Sequence, residues 1–143
     1  MKSAAELLAT QDKPLCTVVP EATVFEALHL LAKNEVGALA VIDPQGKLMG
    51  IVSERDYTRK VALQGKNSRD AKVEDIMTRE VLVVNSKTRA RECMALMSSR
   101  KIRHLPVVDG ETLLGMLSIR DLLDAIIAEQ TQTIQQLESY IHS

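Results

Sequence analysis

The sequence predicts an α/β fold of the α+β kind, in which two β-α-β-β-α repeats pack pseudo-symmetrically and a long C-terminal helix follows. Two pairs of segments carry this prediction: "GIVSERD" at 50–56 returns as "GMLSIRD" at 115–121, and "VGALAVID" at 36–43 returns as "IRHLPVVD" at 102–109. In addition, "LCTVVPEATVFEALHLLAKNE" (15–35) aligns without a gap with "VLVVNSKTRARECMALMSSRK" (81–101). We therefore interpret the chain as an internal duplication.

Each repeat is expected to begin with a short strand and a helix. The β-rich runs "CTVV" and "VLVV" predict the strand. The apolar residues that follow have the i, i+3, i+4, i+7 spacing of a helix that buries one face. These residues are Val24, Ala27, Leu28 and Leu31 in the first repeat and Ala90, Cys93, Met94 and Met97 in the second.

Two further strands and a final helix complete each repeat. The run "ALAVI" or "LPVV" predicts a strand, and a Pro/Gly or Asp-Gly turn then leads to "LMGIV" or "LLGML" as a hairpin. The final helix is expected to begin just after Ser53 or Ser118. A unit of about 48 residues is small for independent stability, so the two repeats should share a core.

We divide the chain into a first repeat (15–64), a polar linker (65–80), a second repeat (81–128) and a C-terminal helical extension (129–143). Inside the linker, "VEDIM" indicates a short helical turn, and the N-terminal "AAELLA" indicates another short helix that packs on the pair.

The last predicted helix runs from Ile119 to about Ile141 and carries a heptad-type apolar seam. Ile127, Ile134 and Ile141 are seven residues apart, Leu123 and Leu137 lie between them, and Gln130 weakens the pattern. Two interpretations stay open: the helix folds back on its own domain, or it makes a contact between subunits.

Composition excludes several classes of protein. Eighteen Lys and Arg against 19 Asp and Glu leave a net charge of −1, which argues against a general nucleic-acid or membrane-surface binder. One Phe, two Tyr and no Trp do not provide a base-stacking platform.

Cys16 and Cys93 are predicted to be buried thiols in a reducing, cytoplasmic environment. The N-terminal stretch is neither a signal peptide nor a membrane span.

The repeated Ser-x-x-Asp motif has two interpretations. Ser53 with Asp56, and Ser118 with Asp121, have the spacing of a helix-capping box, in which a cap contributes about 1 kcal/mol. Alternatively, the helix N-terminus attracts phosphate and the Asp accepts two ribose hydroxyls. In that case the glycine that opens each motif would let a ligand approach the third strand.

Cationic residues lie near the same motifs. The segment "SRKIRH" (99–104) precedes a strand that should be buried, and Arg55, Arg59 and Arg120 follow the two serines. Each alone is typical of a solvated surface, but the cluster makes His104 the best single candidate for a phosphate or ligand contact. The histidines and cysteines lack the spacing of metal ligands, so no metal site is expected.

These features resemble the CBS domain, named for cystathionine β-synthase. The twofold β-α-β-β-α pattern, "GIVSERD", "GMLSIRD" and "IRHLPVVD" make the chain similar to a tandem CBS pair, or Bateman module. It is similar to the stand-alone bacterial type, in which "SERDYTRKV" and "MTREV" are also familiar. The resemblance covers roughly residues 15–128, and we expect no attached enzyme, channel or transporter. It implies two clefts between the repeats that bind an adenosyl compound: AMP, ADP, ATP or NAD(H), with S-adenosylmethionine less favoured.

The resemblance also implies a set of binding residues. Asp56 and Asp121 would hold ribose hydroxyls, and Ser53 and Ser118 would contact phosphate or ribose. The adenine would lie between apolar walls formed by Thr17, Val18, Val83, Val84, Ala38, Leu39, His104 and Pro106. The phosphates would face Arg55, Arg103, His104 and Arg120.

The two copies are not equal. Where the second repeat has Arg103, His104 and Pro106, the first has Gly37, Ala38 and Ala40. The two clefts should therefore differ in their affinity for the ligand, and in the extreme case one of them binds none. The resemblance further implies a disc-like homodimer and a protein partner of unknown identity.

Four functions compete at this stage. The favoured one is a non-catalytic sensor that binds an adenine nucleotide and signals energy or redox state to a partner. The alternative is a structural dimerisation module whose ligand sites no longer function. An enzyme is not favoured, because no triad, metal site, nucleophile elbow or P-loop is present. A nucleic-acid binder would have to use the basic cluster at 100–104.

Overall fold

The computed structural model describes residues 1–142 and, except for one strand of the second repeat, has the predicted order of elements, with small sheets, short helices and one long helix. The N-terminal part comprises α1 (Ala4–Ala9), β1 (Thr17–Val18), α2 (Val24–Asn34), β2 (Ala38–Ile42), β3 (Leu48–Ser53), α3 (Glu54–Tyr57) and a π-helical turn (Thr58–Ala62). The rest comprises α4 (Val73–Ile76), α5 (Ala90–Arg100), β4 (His104–Asp109), β5 (Thr112–Ser118) and α6 (Ile119–His142).

The two sheets differ by one strand. In the first repeat β1 pairs in parallel with β2, and β2 pairs with β3 in an antiparallel hairpin. In the second repeat β4 and β5 form the equivalent hairpin, but the run "VLVV" contributes a single parallel bridge, between Val84 and Val107. The prediction of a strand there is therefore wrong. The reason is Pro106, which has no N–H to donate to the neighbouring segment. Ala40, at the equivalent position of the first repeat, has this N–H and pairs with Thr17 of β1.

Other details follow the duplication closely. The β-bulge between Val41 and Ile42 returns between Val107 and Val108. Glu35 and Lys101, which end α2 and α5, both adopt a left-handed conformation, with φ of 52° and 55°. Non-glycine residues rarely do so, so their occurrence at equivalent positions confirms the internal repeat.

The predicted helical stripes form two separate cores, so the expectation that the two repeats share one core is wrong: each core is completed by a short helix, α4 in the first and α1 in the second. Val24, Ala27 and Leu31 of α2 are buried in the first core, and Ala90, Cys93 and Met97 of α5 are buried in the second. Leu28 and Met94 pack at the margins of these cores. Thr23 caps α2 through a capping box with Glu26, which fixes where that helix begins.

The two short helices predicted outside the repeats are confirmed, and each packs against one core. α4 buries Val73 and Ile76 in the first core. α1 buries Ala4 and Leu7 in the second core, although it precedes the first repeat in sequence. The N-terminal segment therefore crosses the molecule to reach the second repeat.

The glycine that opens each repeated motif is pressed against protein. A Cβ on Gly50 would lie 2.6 Å from the carbonyl oxygen of Thr78, and one on Gly115 would lie 2.7 Å from Cδ2 of Leu8. Thr78 is held there because it exchanges two backbone hydrogen bonds with Ile51, of 3.0 and 2.8 Å. The expectation that these glycines admit a ligand is therefore wrong: they admit the linker and α1.

The long helix α6 leaves the body of the protein. Leu122 is fully buried, but every residue from Gln130 to His142 is exposed. The interpretation in which this helix folds back on its own domain is therefore wrong. In the part of the chain that the structure describes, no helix has the length and apolar character needed to cross a membrane.

Candidate functional site

A cleft of about 720 Å³ lies between the two repeats, beside the second copy of the Ser-x-x-Asp motif. The second repeat contributes the start of β4, the end of β5 and the first turns of α6, and the first repeat contributes the start of β2. The N-terminal segment closes the remaining side. Its lining residues are Lys2, Leu7, Thr10, Gln11, Asp12, Lys13, Pro14, Leu15, Cys16, Glu35, Val36, Gly37, Ala38, His104, Met116, Ser118, Arg120, Asp121, Asp124, Ala125 and Ala128.

His104 lies where the two repeats approach each other within this cleft. As the first residue of β4 it pairs with Ser118 of β5, which places its side chain next to the motif. Its imidazole faces Gly37, where an added Cβ would lie 3.5 Å from Cε1. An alanine side chain at this position would therefore just touch the ring, which shows how closely the two repeats approach each other here.

Ser118 and Asp121 form the hydrogen bonds of a capping box. The Ser118 N–H and hydroxyl donate to Oδ2 of Asp121, at 2.8 and 3.1 Å, and the Asp121 N–H donates to the Ser118 hydroxyl oxygen at 3.2 Å. Gln11 adds a third donor, because its Nε2 lies 3.0 Å from Oδ2 of Asp121 and 2.8 Å from the carbonyl oxygen of Met116. All these bonds use Oδ2, and Oδ1 of Asp121 has no hydrogen bond among the described residues.

The start of α6 retains little free backbone for a phosphate. The Ile119 N–H donates to the carbonyl oxygen of Arg103 at 2.9 Å, and the Asp121 N–H is used in the cap. Positive charge in the cleft comes from side chains instead: Arg120, Lys2 and Lys13 line it. Lys13 also pairs with Glu35, at 3.5 Å. A bound anion would therefore meet cationic side chains more than free N–H groups of the helix terminus.

The first copy of the motif has the same cap but a different neighbour. Ser53 and Asp56 form the equivalent capping box. Oδ1 of Asp56 lies 3.2 Å from Nζ of Lys60, which also donates to the carbonyl oxygen of Ile76 at 2.8 Å. Both oxygens of Asp56 are thus engaged, and neither Ser53 nor Asp56 lines the cleft.

Apart from Ser53 and Asp56, the predicted binding residues separate into three groups. Ala38, His104, Ser118, Arg120 and Asp121 line the cleft together. Val18, Val84, Leu39 and Pro106 are buried, and Thr17 is half-buried. Arg55, Arg103 and Val83 are exposed and lie outside the lining.

Sequence reasoning missed the wall formed by the N-terminal segment. Lys2, Gln11 and Lys13 precede the first repeat, where the motif pattern gave no reason to look. A signal was nevertheless present, because the linker precedes the second repeat in the same way that this segment precedes the first. A symmetric duplication predicts that both segments occupy similar places.

Burial lowers the pKa of His104 below its usual value of 6.5, and nearby Arg103 lowers it further, while the carboxylate of Asp121 acts in the opposite direction. The unfolded chain therefore binds a proton more readily at this site. We expect the free energy of unfolding to fall as the pH drops below about 6.5, where the unfolded histidine becomes protonated first.

Urea unfolding between pH 5 and 8 measures this effect. His104→Gln should remove part of the pH dependence. An identical pH dependence in His104→Gln and the wild type would contradict the expectation.

Both cysteines are free thiols: Cys93 is buried and Cys16 half-buried. Burial raises the pKa of both, which keeps them protonated and unreactive. Across residues 1–142, no three His, Cys, Asp or Glu side chains gather as they would around a metal ion.

Comparison with known proteins agrees with this architecture. A model of the CBS domain family matches residues 5–63 and again 73–128. The mitochondrial CBS domain-containing protein CBSX3 of Arabidopsis thaliana is 41% identical over 123 residues, which are 83% of this chain. The chain spans 60% of the length of that relative.

Solved structures extend the comparison to three dimensions. A protein with CBS domains from Burkholderia ambifaria MC40-6 has a TM-score of 0.85 and 42% identity, covering 90% of this chain and 96% of its own. The CBS domain pair of protein MJ0100, solved with 5'-methylthioadenosine and S-adenosyl-L-methionine, has a TM-score of 0.79 and 25% identity, covering 90% and 98%. The twofold family match, the relatives and the repeat geometry agree, and the chain belongs to the CBS-domain family as a tandem CBS pair, which is a regulatory module.

Proposed function

We propose that the protein is a non-catalytic sensor that binds an adenosyl ligand, AMP, ADP, ATP or NAD(H), in the cleft beside Asp121. The observation that carries this proposal is the position of Asp121, whose Oδ2 is held by the cap and by Gln11 while Oδ1 has no hydrogen bond among the described residues. A carboxylate fixed in this way is prepared to accept a ribose hydroxyl. The comparison protein MJ0100, which was solved with two adenosyl compounds, supports the same ligand class.

The size and chemistry of the cleft support this ligand. Its volume of about 720 Å³ is within the range of 300–1,000 Å³ usual for small-molecule sites. The half-buried ring of His104 offers a flat surface, and Ala38 and Met116 add apolar contacts for a base. Arg120, Lys2 and Lys13 supply cations for a phosphate. The lining also carries the carboxylates of Asp12, Glu35, Asp121 and Asp124, so S-adenosylmethionine, whose sulfonium is positively charged, is tested alongside the nucleotides.

The two motifs differ in their availability. Asp56 is only 13% exposed and is paired with Lys60, so a ribose would have to displace an ion pair to reach it. A ribose that binds Asp121 would displace no ion pair, because the neighbouring side chain there is the neutral amide of Gln11. We therefore propose that one ligand binds per chain, at the second motif.

Regulation would follow from the position of the ligand between the repeats. His104 and Asp121 belong to the second repeat, and Gly37 and Ala38 belong to the first, so a ligand that contacts both changes their relative orientation. Such coupling requires that the ligand bind one orientation more tightly than another. We propose that a protein partner reads this orientation, that the chain itself is no enzyme, and that it acts as a homodimer in the cytoplasm, where its two free cysteines stay reduced.

A thermal-shift panel tests the proposal. The probes are AMP, ADP, ATP, NAD, NADH and S-adenosylmethionine, each at millimolar concentration. A ligand at 100 times its dissociation constant adds about 2.7 kcal/mol of stability, or roughly 8 °C in Tm for a chain of this size. Adenine-free ribose phosphate serves as the control and should shift Tm by far less.

The alternative function, a structural dimerisation module, makes the opposite prediction. In that case no adenosyl compound would shift Tm at any concentration, although the protein would still assemble. Equal shifts from ribose phosphate and AMP would indicate that the cleft binds anions without recognising adenosine.

A further inference from the structure

The exposed end of α6 needs a covering surface. Ile127, Ile134, Leu137 and Ile141 are each more than half exposed, at 58, 56, 58 and 73%. From Gln130 onward the helix has no buried residue. Isolated helices shorter than about 12–15 residues are marginal in water, and most protein helices are stabilised by packing one apolar face. This segment therefore requires a partner that covers its apolar stripe.

The stripe has the heptad spacing of a two-stranded coiled coil. The a positions are Ile127, Ile134 and Ile141, and the d positions are Leu123, Gln130 and Leu137. β-branched residues at a combined with Leu at d favour two parallel strands. The same sequence on both helices produces a seam that is complementary to itself.

We propose that residues 123–141 pair with the same residues of a second copy of this chain as a parallel two-stranded coiled coil. The inference rests on the proposed homodimer and names the surface and the orientation through which it forms. It does not depend on the identity of the ligand.

The single polar seam residue supports the parallel orientation. In a parallel pair Gln130 faces Gln130 of the second copy, and the two side-chain amides can donate to and accept from each other. In an antiparallel pair Gln130 faces Ile134, so its amide would be buried without a partner. A buried polar group left unpaired costs about 1–3 kcal/mol.

Charges beside the seam favour the same orientation. The e positions carry Asp124, Thr131 and Glu138. Antiparallel helices place e residues opposite e residues, which would bring Asp124 close to Glu138 of the other copy. Parallel helices place e opposite g, where Ile126 and Thr133 carry no charge. Like charges therefore face each other only in the antiparallel arrangement.

A lipid surface fits the helix less well than a second copy. Helices that lie on membranes carry Lys or Arg on their polar face. From Asp121 to His142 the sequence contains no Lys or Arg, and its charged residues beyond the cleft include Glu129 and Glu138. An anionic bilayer would repel this face.

The seam begins on the turns that line the ligand cleft. Asp124, Ala125 and Ala128 face the cleft, while Leu123 and Ile127 of the same turns begin the seam. One rigid helix therefore connects the proposed ligand to the proposed subunit contact.

Sedimentation equilibrium of the full chain tests the surface, with a matched pair of variants. Ile134→Glu places a charge in the seam, and Gln135→Glu places the same charge one residue away, on the outer face. We expect Ile134→Glu to raise the dimer dissociation constant at least tenfold and Gln135→Glu to leave it within twofold. A monomeric wild type would overturn the inference together with the homodimer, and equal dissociation constants for the two variants would overturn the inference alone.

Cysteine cross-linking tests the orientation. In a parallel pair Leu137→Cys lies opposite itself and should form a disulfide under mild oxidation, while the wild type should not cross-link. In an antiparallel pair, where residue 137 faces residue 127, the two cysteines would be about 15 Å apart along the axis, too far for a disulfide. Cross-linking only when Ile127→Cys and Leu137→Cys chains are mixed would overturn the parallel arrangement. The thermal-shift panel, which reads ligand binding, is unaffected by either result.

Discussion

Replacing Asp121 by Asn is expected to weaken binding of AMP, or of the adenosyl compound that gives the largest thermal shift, about a hundredfold. The Asn side chain keeps an oxygen that can accept the Ser118 N–H, so the helix cap survives in part. The charge that would hold the ribose is lost. Hydrogen bonds to a charged group contribute about 1.5–3 kcal/mol, and about 2.7 kcal/mol corresponds to a hundredfold change in Kd. Isothermal titration calorimetry measures the change.

Asp56→Asn is the matched control, because it alters the same residue type at the equivalent position of the same capping box. Asp56 is paired with Lys60 and lies outside the cleft, so the expected change in Kd is less than twofold. Equal losses in the two variants would contradict binding at a single cleft. An unchanged Kd in Asp121→Asn would remove Asp121 from the site, provided that circular dichroism shows the variant to be folded.

Gly50→Ala is expected to lower the free energy of unfolding by about 2 kcal/mol, within the 1–3 kcal/mol usual for overpacking. The new methyl group would lie 2.6 Å from the carbonyl oxygen of Thr78, which is backbone and is fixed by two hydrogen bonds to Ile51. Relief requires the linker to move away from β3. Urea denaturation should show the midpoint falling by roughly 1 M, given an m-value of 1–3 kcal/mol per molar urea.

Gly115→Ala provides the comparison within the same protein. There the new methyl group meets Cδ2 of Leu8, at 2.7 Å, the end of a flexible side chain that is only half-buried. Leu8 can rotate away from the new methyl group. Alanine also lowers the conformational entropy of the unfolded chain relative to glycine, which stabilises the folded protein by about 0.4–1 kcal/mol. The expected net change is therefore below about 1 kcal/mol. If Gly115→Ala destabilises the protein as much as Gly50→Ala, side-chain flexibility is not what separates the two sites.

Much of the fold could be predicted because the duplication repeats its own signals. The stripes on α2 and α5, the two hairpins and the two capping motifs each occur twice, so each copy supports the interpretation of the other. The missing strand near Val84 follows from one residue, Pro106, whose lack of an N–H affects a neighbouring strand far away in sequence. Local β propensity contains no information about that loss.

The site was predictable only in part. Ser118, Asp121, His104, Arg120 and Ala38 are brought together as the motif implied. The contrast between the two aspartates depends on Gln11 and Lys60, which do not occupy equivalent positions in the duplication. Lys60 lies in the π-helical turn Thr58–Ala62, for which the sequence has no signal, and Gln11 arrives through the packing of α1. A side chain that is present in one copy only, or that comes from outside the repeats, follows no internal pattern.

The packing of α1 also imposes an order on folding. The buried surface around Ala4 and Leu7 is completed by residues between Val84 and Leu122, which are synthesised long after α1. The first core, by contrast, is completed by Val73, Ile76 and Met77, which follow it closely in the chain. The first repeat can therefore assemble while synthesis continues, whereas α1 keeps an apolar face exposed until the second repeat exists. Closing that long loop is a non-local step of the kind that slows folding, and a nascent chain paused before residue 84 would present α1 to chaperones.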